Sequence, residues 1–91
     1  MKLELYSQPF CAPCVRARQV VARAAALLPE LETEEINVVS AVERGEQLGI
    51  GSTPVIRMLE SGQEKFRAAG VPQLAQLLAA VARAQDEPAT H

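Results

Sequence analysis

Apolar and polar residues alternate at the very start of the chain. Leu3 and Leu5 fall on one side of residues 2–7, whereas Lys2 and Glu4 fall on the other. A period of two residues is typical of a β-strand that buries one of its sides. The pattern therefore predicts a first strand over residues 2–7, followed by a loop.

Beyond Pro13, the spacing of apolar residues lengthens to that of a helix. Pro13 itself suits the first turn of this helix, because the N–H that proline lacks has no partner there. An apolar stripe then recurs at helical spacing, with arginines on the opposite side. Pro29 ends this predicted helix near Leu28, because proline cannot continue the hydrogen-bond ladder. The stripe consists of Val20, Val21, Ala24, Leu27 and Leu28.

A second strand is predicted over residues 31–39, centred on residues 36–39. Ser40 and Glu43 then match a capping box, in which the serine side chain caps a helix and the glutamate reaches back to it. The short helix that follows ends at Gly49, because glycine readily adopts the left-handed conformation found after many helices.

Two further strands are predicted over residues 55–59 and 64–68, joined by a turn at Ser61-Gly62. Alternation in the second of them points Phe66 toward the core. The two strands therefore form a hairpin, which requires antiparallel pairing.

A final amphipathic helix follows Gly70, with Pro72 at its first position and leucines at helical spacing. The order βαβαββα predicts an α/β domain with one four-stranded mixed sheet and helices packed on it. We expect this domain to span residues 1–84 and to be followed by a flexible tail over residues 85–91.

Composition supports one globular domain and excludes several classes of function. The chain has 91 residues, of which 48% are apolar and 3% aromatic, so an aliphatic core is expected. A net charge of −2 without a Lys/Arg cluster indicates neither a nucleic acid nor an anionic membrane as partner. No stretch approaches the roughly 20 apolar residues of a membrane span, and Glu4 interrupts the apolar run that a signal peptide needs. We therefore expect a cytoplasmic location, and we also expect a monomer.

The candidate chemistry lies in two cysteines, Cys11 and Cys14, between the first strand and the first helix. A secreted scaffold held together by disulfides usually carries more cysteines at longer spacings. A zinc site needs about four ligands. Because His91 is the remaining candidate ligand, such a site would require two chains. A redox pair fits the position better, since N–H groups at a helix start stabilise a thiolate.

Three features in one register resemble the thioredoxin-fold family. A Cys-x-x-Cys motif over residues 11–14 directly follows the first strand, Thr53-Pro54 precedes the third, and Gly70 precedes the last helix. The stretch over residues 48–55 is especially similar to the thioredoxin pattern. The resemblance covers residues 2–83 and implies a thioredoxin-like, three-layer α/β/α fold.

The resemblance also implies a function, that of a thiol–disulfide oxidoreductase acting on protein disulfides. Cys11 and Cys14 would be its catalytic residues and form its redox-active disulfide, with no bound cofactor or metal. A thioredoxin reductase or glutathione would supply the electrons. The implied substrate-binding residues are Phe10, Ala12, Pro13, Thr53, Pro54 and Gly70, with a cis bond before Pro54.

The chain departs from both main branches of the family. Thioredoxins carry a buried acid where this chain has Leu5, and tryptophan and glycine where it has Phe10 and Ala12. Glutaredoxins typically place an aspartate shortly after the last glycine, where this chain has Val71-Pro72. Two alternatives stay open: a glutathione-linked thioltransferase, and a binding module of the same fold without turnover.

Each of the other features also has a plainer interpretation. Thr53-Pro54 can be an ordinary start of a strand, and Gly70 can simply separate a strand from a helix. Arg16 and Arg18 are expected on a solvated helix face.

Overall fold

The computed structural model describes residues 1–86, which form a four-stranded sheet and three helices. The elements are β1 (Lys2–Ser7), α1 (Ala12–Leu27), β2 (Glu32–Asn37), α2 (Val42–Gln47), β3 (Val55–Glu60), β4 (Gln63–Ala69) and α3 (Leu74–Asp86). The strands lie in the order β2-β1-β3-β4, with β1 and β2 parallel and the other neighbours antiparallel. The predicted α/β fold with one mixed sheet is therefore confirmed.

One face of the sheet packs against α1 and α3 and holds the main core. Leu3 and Leu5 of β1 lie beside Met58 and Ile56 of β3, their antiparallel partners. Phe66 of β4 is partly buried against the same cluster, so its predicted inward direction is confirmed. The helices contribute Ala17, Val21, Ala24, Leu77, Val81 and Ala84.

The other face of the sheet carries α2 and a smaller apolar cluster. Tyr6, Ile36 and Val55 are buried there. Glu4, one residue before Leu5, points to this face and is also buried, with 4% of its surface exposed. Because side chains alternate along β1, Leu5 faces α1 and Glu4 faces the opposite side of the sheet.

The prediction for the turn between β2 and α2 was wrong. Ser40 does not cap α2; the N-cap is Ala41, and it makes no side-chain cap hydrogen bond. The Asn37 side-chain oxygen accepts a hydrogen bond from the Val39 N–H at 2.8 Å. The backbone carbonyl of Asn37 accepts from the N–H groups of Ser40 and Ala41, at 3.1 and 2.9 Å. This turn ends β2 at Asn37, within the predicted centre of the strand at residues 36–39, and α2 begins one residue later than predicted.

The start of α3 also differs from the prediction. The helix begins at Leu74, so Pro72 does not occupy its first position. The Gln73 N–H donates to the Gln76 side chain at 3.2 Å, and the Gln73 carbonyl accepts from the Leu77 N–H at 3.0 Å. Gln73 therefore caps the helix, and Pro72 lies just outside it.

The far end of α3 extends beyond the domain boundary predicted at residue 84. The helix continues to Asp86, so Gln85 and Asp86 are helical, whereas the rest of the predicted tail, residues 87–91, lies outside the described residues. His91, considered above as a zinc ligand, belongs to that segment. Within residues 1–86, no helix is long and apolar enough to cross a membrane.

Candidate functional site

Cys11 and Cys14 lie where β1 passes into α1. Cys11 is the N-cap residue of the helix, with extended backbone angles of φ −115° and ψ 100°. Cys14 lies in the first turn, with its Cα 5.2 Å from that of Cys11, and the two sulfurs form a disulfide bond. Cys14 is 1% exposed, whereas Cys11 is partly exposed. The two sulfurs are therefore chemically unequal, because solvent and a second molecule can reach only the first.

Hydrogen-bond donors converge on the Cys11 sulfur. The Cys14 N–H donates to Cys11 Sγ at 3.1 Å, and the Thr53 hydroxyl donates to the same atom at 3.9 Å. The helix places no acidic residue in its first turn. Donors and the positive end of the helix dipole favour a negative charge here, so this geometry stabilises a Cys11 thiolate once the disulfide is reduced.

Thr53 and Pro54 lie beside the cysteine pair, although they are about forty residues away in the chain. The bond between them is cis, as the resemblance implied. Pro54 is buried, and its carbonyl accepts a hydrogen bond from the Gly70 N–H at 2.9 Å. Gly70 has a φ of +89°, a conformation that glycine adopts without strain. The structure thus brings Thr53, Pro54 and Gly70 to the same end of the sheet as the cysteines.

Phe10, Ala12 and Pro13 form the exposed rim of the site. All three side chains face solvent, and Phe10 is fully exposed, with a φ of +57°. A shallow depression lies at this rim, and it is lined by Gln8, Pro9, Phe10, Cys11, Ala12, Val15 and Arg18. The rim can therefore contact a large partner rather than enclose a small ligand.

The acidic residue of β1 does not face the cysteines. Leu5, which points toward α1, is 1% exposed, while Glu4 points to the opposite face. Burial raises the pKa of Glu4, but hydrogen bonds from Tyr6 and Arg57 and the charge of Arg44 outweigh it and hold this pKa below its usual range. Glu4 is therefore an ionised structural group. Sequence reasoning missed it, because its position alternates as a solvent-facing residue would.

Arg18 forms an ion pair with Glu35 and does not contact the cysteines through its charge. Its guanidinium makes two hydrogen bonds to the Glu35 carboxylate, at 2.7 and 2.6 Å, and Ser7 donates to the same carboxylate at 2.7 Å. Arg16 is exposed. Both arginines thus lie on a solvated part of α1, as expected. Among residues 1–86, no three Cys, His, Asp or Glu side chains cluster in a way that could hold a metal ion.

Comparison with known proteins gives one curated relative. The chain is 35% identical to a thioredoxin of Methanocaldococcus jannaschii over 57 residues, which cover 62% of this chain and 67% of the relative. No protein-family sequence profile matches the chain.

Solved structures share the fold over nearly the whole chain. Thioredoxin 1 from Thermosipho africanus superposes with a TM-score of 0.83 at 19% identity, covering 94% of this chain and 96% of the other. Chloroplastic thioredoxin z gives a TM-score of 0.83 at 18% identity over 94% of this chain and 79% of the other. Thioredoxin f2 of Chlamydomonas reinhardtii gives a TM-score of 0.81 at 17% identity, covering 96% of this chain and 81% of the other. The three-layer fold is therefore shared with these three solved structures.

Proposed function

The chain belongs to the thioredoxin family, and on that premise we propose that it reduces disulfide bonds in other proteins through Cys11 and Cys14. Family membership and the cysteine pair identify a thiol–disulfide oxidoreductase. The direction of the reaction and the class of substrate are the proposal. The observation that supports it most is the convergence of the Cys14 N–H and the Thr53 hydroxyl on the sulfur of Cys11.

In the first step, the Cys11 thiolate attacks one sulfur of the target disulfide. A bond forms between Cys11 Sγ and that sulfur, the target S–S bond breaks, and the other target sulfur leaves as a thiolate that takes a proton from solvent. Because Cys11 is partly exposed, its sulfur can reach a target disulfide. Cys14 is buried, so its sulfur cannot.

In the second step, Cys14 loses its proton and attacks Cys11 Sγ. The Cys11–Cys14 disulfide forms, and the remaining target sulfur leaves as a thiolate that is protonated in turn. The chain has lost two electrons and the target has gained two. The disulfide-bonded state described above corresponds to the end of this cycle.

The residues around the pair would position the target. Phe10, Ala12 and Pro13 offer an exposed rim on one side of Cys11, and Thr53, Pro54 and Gly70 lie on the other. A polypeptide crossing between them would place its disulfide against the Cys11 sulfur. We propose that these six residues form the substrate contact.

A dithiol donor must return the two electrons, and we propose an NADPH-dependent thioredoxin reductase working in the cytoplasm. Val71 and Pro72 occupy the segment where a glutaredoxin-like protein would place its aspartate for glutathione. Glutathione is therefore the second choice of donor.

Insulin reduction tests the proposal in two arms. One arm supplies NADPH and thioredoxin reductase, and the other supplies glutathione with its own reductase. We expect turnover in the first arm, loss of turnover in Cys11→Ser, and little turnover in the second arm. Turnover in the second arm alone would instead establish a thioltransferase. Absence of turnover in both arms would leave a binding module and contradict the proposal.

A further inference from the structure

The charged side chains of α1, the helix at whose start the cysteines lie, are all positive. Between Ala12 and Leu27 the helix contains Arg16, Arg18 and Arg23 and no acidic residue, in a chain whose net charge is −2. Arg18 is neutralised by Glu35. Arg16 and Arg23 are exposed and have no ion-pair partner within the part of the chain that the structure describes. Their positive charges are therefore available to another molecule.

These two arginines flank a groove that begins next to the redox site. They lie seven residues apart on one face of α1, which places them about 10 Å apart along the helix axis. Val71, 36% exposed, forms the opposite wall and directly follows Gly70, whose N–H contacts the Pro54 carbonyl. The groove has a volume of about 590 Å³ and is lined by Arg16, Gln19, Val20, Ala22, Arg23 and Val71.

The chemistry of the groove defines what it can hold. Val20 and Val71 give it an apolar centre, and Arg16 and Arg23 place a cation at each end. An extended segment with apolar side chains flanked by carboxylates complements this pattern, whereas a basic segment is repelled. Two separated cations are too few for a nucleic-acid surface, which requires many phosphate contacts.

We propose that this groove docks acidic polypeptide segments next to the target disulfide, so that the chain prefers disulfides with acidic surroundings. The inference rests on the proposed function and names its substrate class. Exposed complementary charges act mainly by accelerating encounter, and this acceleration falls as salt rises. The preference is therefore one of kcat/KM and depends on ionic strength.

Three synthetic peptides test the groove. They share one disulfide and one sequence, except that the flanking positions are glutamate, glutamine or lysine. At low salt we expect kcat/KM to be about tenfold higher for the glutamate peptide than for the lysine peptide, with the glutamine peptide between them. At about 1 M salt the three values converge, because the Debye length falls to roughly 3 Å.

Charge reversal at the groove assigns the effect to these residues. Arg16→Glu/Arg23→Glu should invert the order of the three peptides, and Arg16→Gln/Arg23→Gln should abolish the preference. The matched control is Arg83→Glu in α3, which lowers the net charge by as much as Arg16→Gln/Arg23→Gln does. Arg83 is also an exposed arginine without an ion pair among the described residues, and it lines a different groove beside β4. This control should keep the wild-type order. Equal denaturation midpoints would show that all variants are folded.

Two results would overturn the inference while leaving the proposed function intact. One is equal kcat/KM for the three peptides with the wild-type chain. The other is a loss of preference in Arg83→Glu as large as in Arg16→Gln/Arg23→Gln, which would indicate an effect of net charge alone. If the wild-type chain reduces none of the peptides, including the neutral one, both the proposed function and the inference fail.

Discussion

The sheet face covered by α1 and α3 is packed with aliphatic side chains, whereas the face covered by α2 combines a small apolar cluster with ionised groups. Ile56, Leu77 and Val81 on the first face are between 0 and 2% exposed. On the second face, the Glu4 carboxylate receives hydrogen bonds from Tyr6 at 2.7 Å, Arg57 at 2.8 Å and Arg44 at 2.6 Å. The first face is held by burial of apolar surface, and the second largely by satisfied charges.

The ionic face connects elements that are distant in the chain. Arg57 joins Glu4 of β1 to Glu64 of β4. Arg44 of α2 joins Glu4 to Glu34 of β2 and lies over the ring of Tyr6, 5.8 Å from its centroid. A buried carboxylate is tolerated here because every one of its partners is in place.

The difference between the faces bears directly on the chemistry. The redox pair lies on α1 and therefore belongs to the aliphatic face, where β1 presents Leu5. The buried acid of the neighbouring position, Glu4, lies on the other side of the sheet and is fully engaged by arginines. In the proposed cycle, β1 therefore presents no acid on the side of Cys14 that could take up the proton this cysteine would lose.

The largest effect is expected from a cavity on the aliphatic face. Ile56→Ala removes a fully buried side chain, so we expect a loss of about 4 kcal/mol in the free energy of unfolding. Chemical denaturation measures this loss. Leu27→Ala, which truncates a residue that is 59% exposed, is the matched control and should cost less than about 0.5 kcal/mol. Equal losses in the two variants would show that this face is not the main source of stability.

A smaller loss is expected from breaking the ionic face. Glu4→Leu leaves Arg57, whose side chain is 16% exposed, without one of its partners, and we expect a cost of about 2 kcal/mol. Glu4→Leu/Arg57→Leu should recover more than half of that loss, because it removes both charges of this pair, while Arg44 keeps its second partner, Glu34. The pair is measured as a double-mutant cycle. Additive losses would contradict a coupled pair.

The pH dependence of stability separates the two faces further. The pKa of Glu4 is lower in the folded chain than the ordinary value that a glutamate has in an unfolded chain. Its contribution to stability is therefore complete above the unfolded pKa and is lost as the pH falls through the folded pKa. We expect Glu4→Gln to flatten the decline in unfolding free energy below about pH 4, and Ile56→Ala to keep the wild-type slope. An unchanged slope in Glu4→Gln would assign acid sensitivity to other carboxylates.

The smallest effect is expected from the exposed ion pair at the edge of the aliphatic face. Arg18 pairs with Glu35 at 2.6 Å, but the arginine side chain is 49% exposed. Exposed pairs contribute little because water and salt screen them. Arg18→Ala should therefore leave the denaturation midpoint unchanged within error. A clear shift would show that this pair, rather than apolar packing alone, fixes α1 on β2.

The aliphatic face could be predicted from the sequence because its information is local. A period of two residues predicted β1 over residues 2–7. The helical stripe predicted the buried side of α1 at Val21 and Ala24, but it was wrong at Leu27, which is 59% exposed. The resemblance added the cis bond before Pro54, which is present. These patterns depend on neighbours along the chain, which is the level at which a single sequence is informative.

The ionic face could not be predicted in the same way. Glu4 is 40 residues from Arg44 and 53 residues from Arg57, so no window of the sequence contains the group. The Asn37 turn was missed for a related reason, since Ser40 and Glu43 match a capping box by spacing alone. The competing hydrogen bonds of Asn37 become visible only in three dimensions.

The measurement that tests the proposed chemistry most directly is capture of a mixed disulfide. Reduced Cys14→Ser is mixed with native insulin, whose disulfide bonds are intact. Intermediates are identified by mass spectrometry under non-reducing conditions, and Cys11→Ser is treated in parallel. We predict an adduct joined through Cys11 in the first variant and none through Cys14 in the second, because Cys14 is buried and Cys11 is not. An adduct through Cys14 alone would reverse the roles of the two cysteines, and no adduct in either variant would contradict disulfide exchange by this chain.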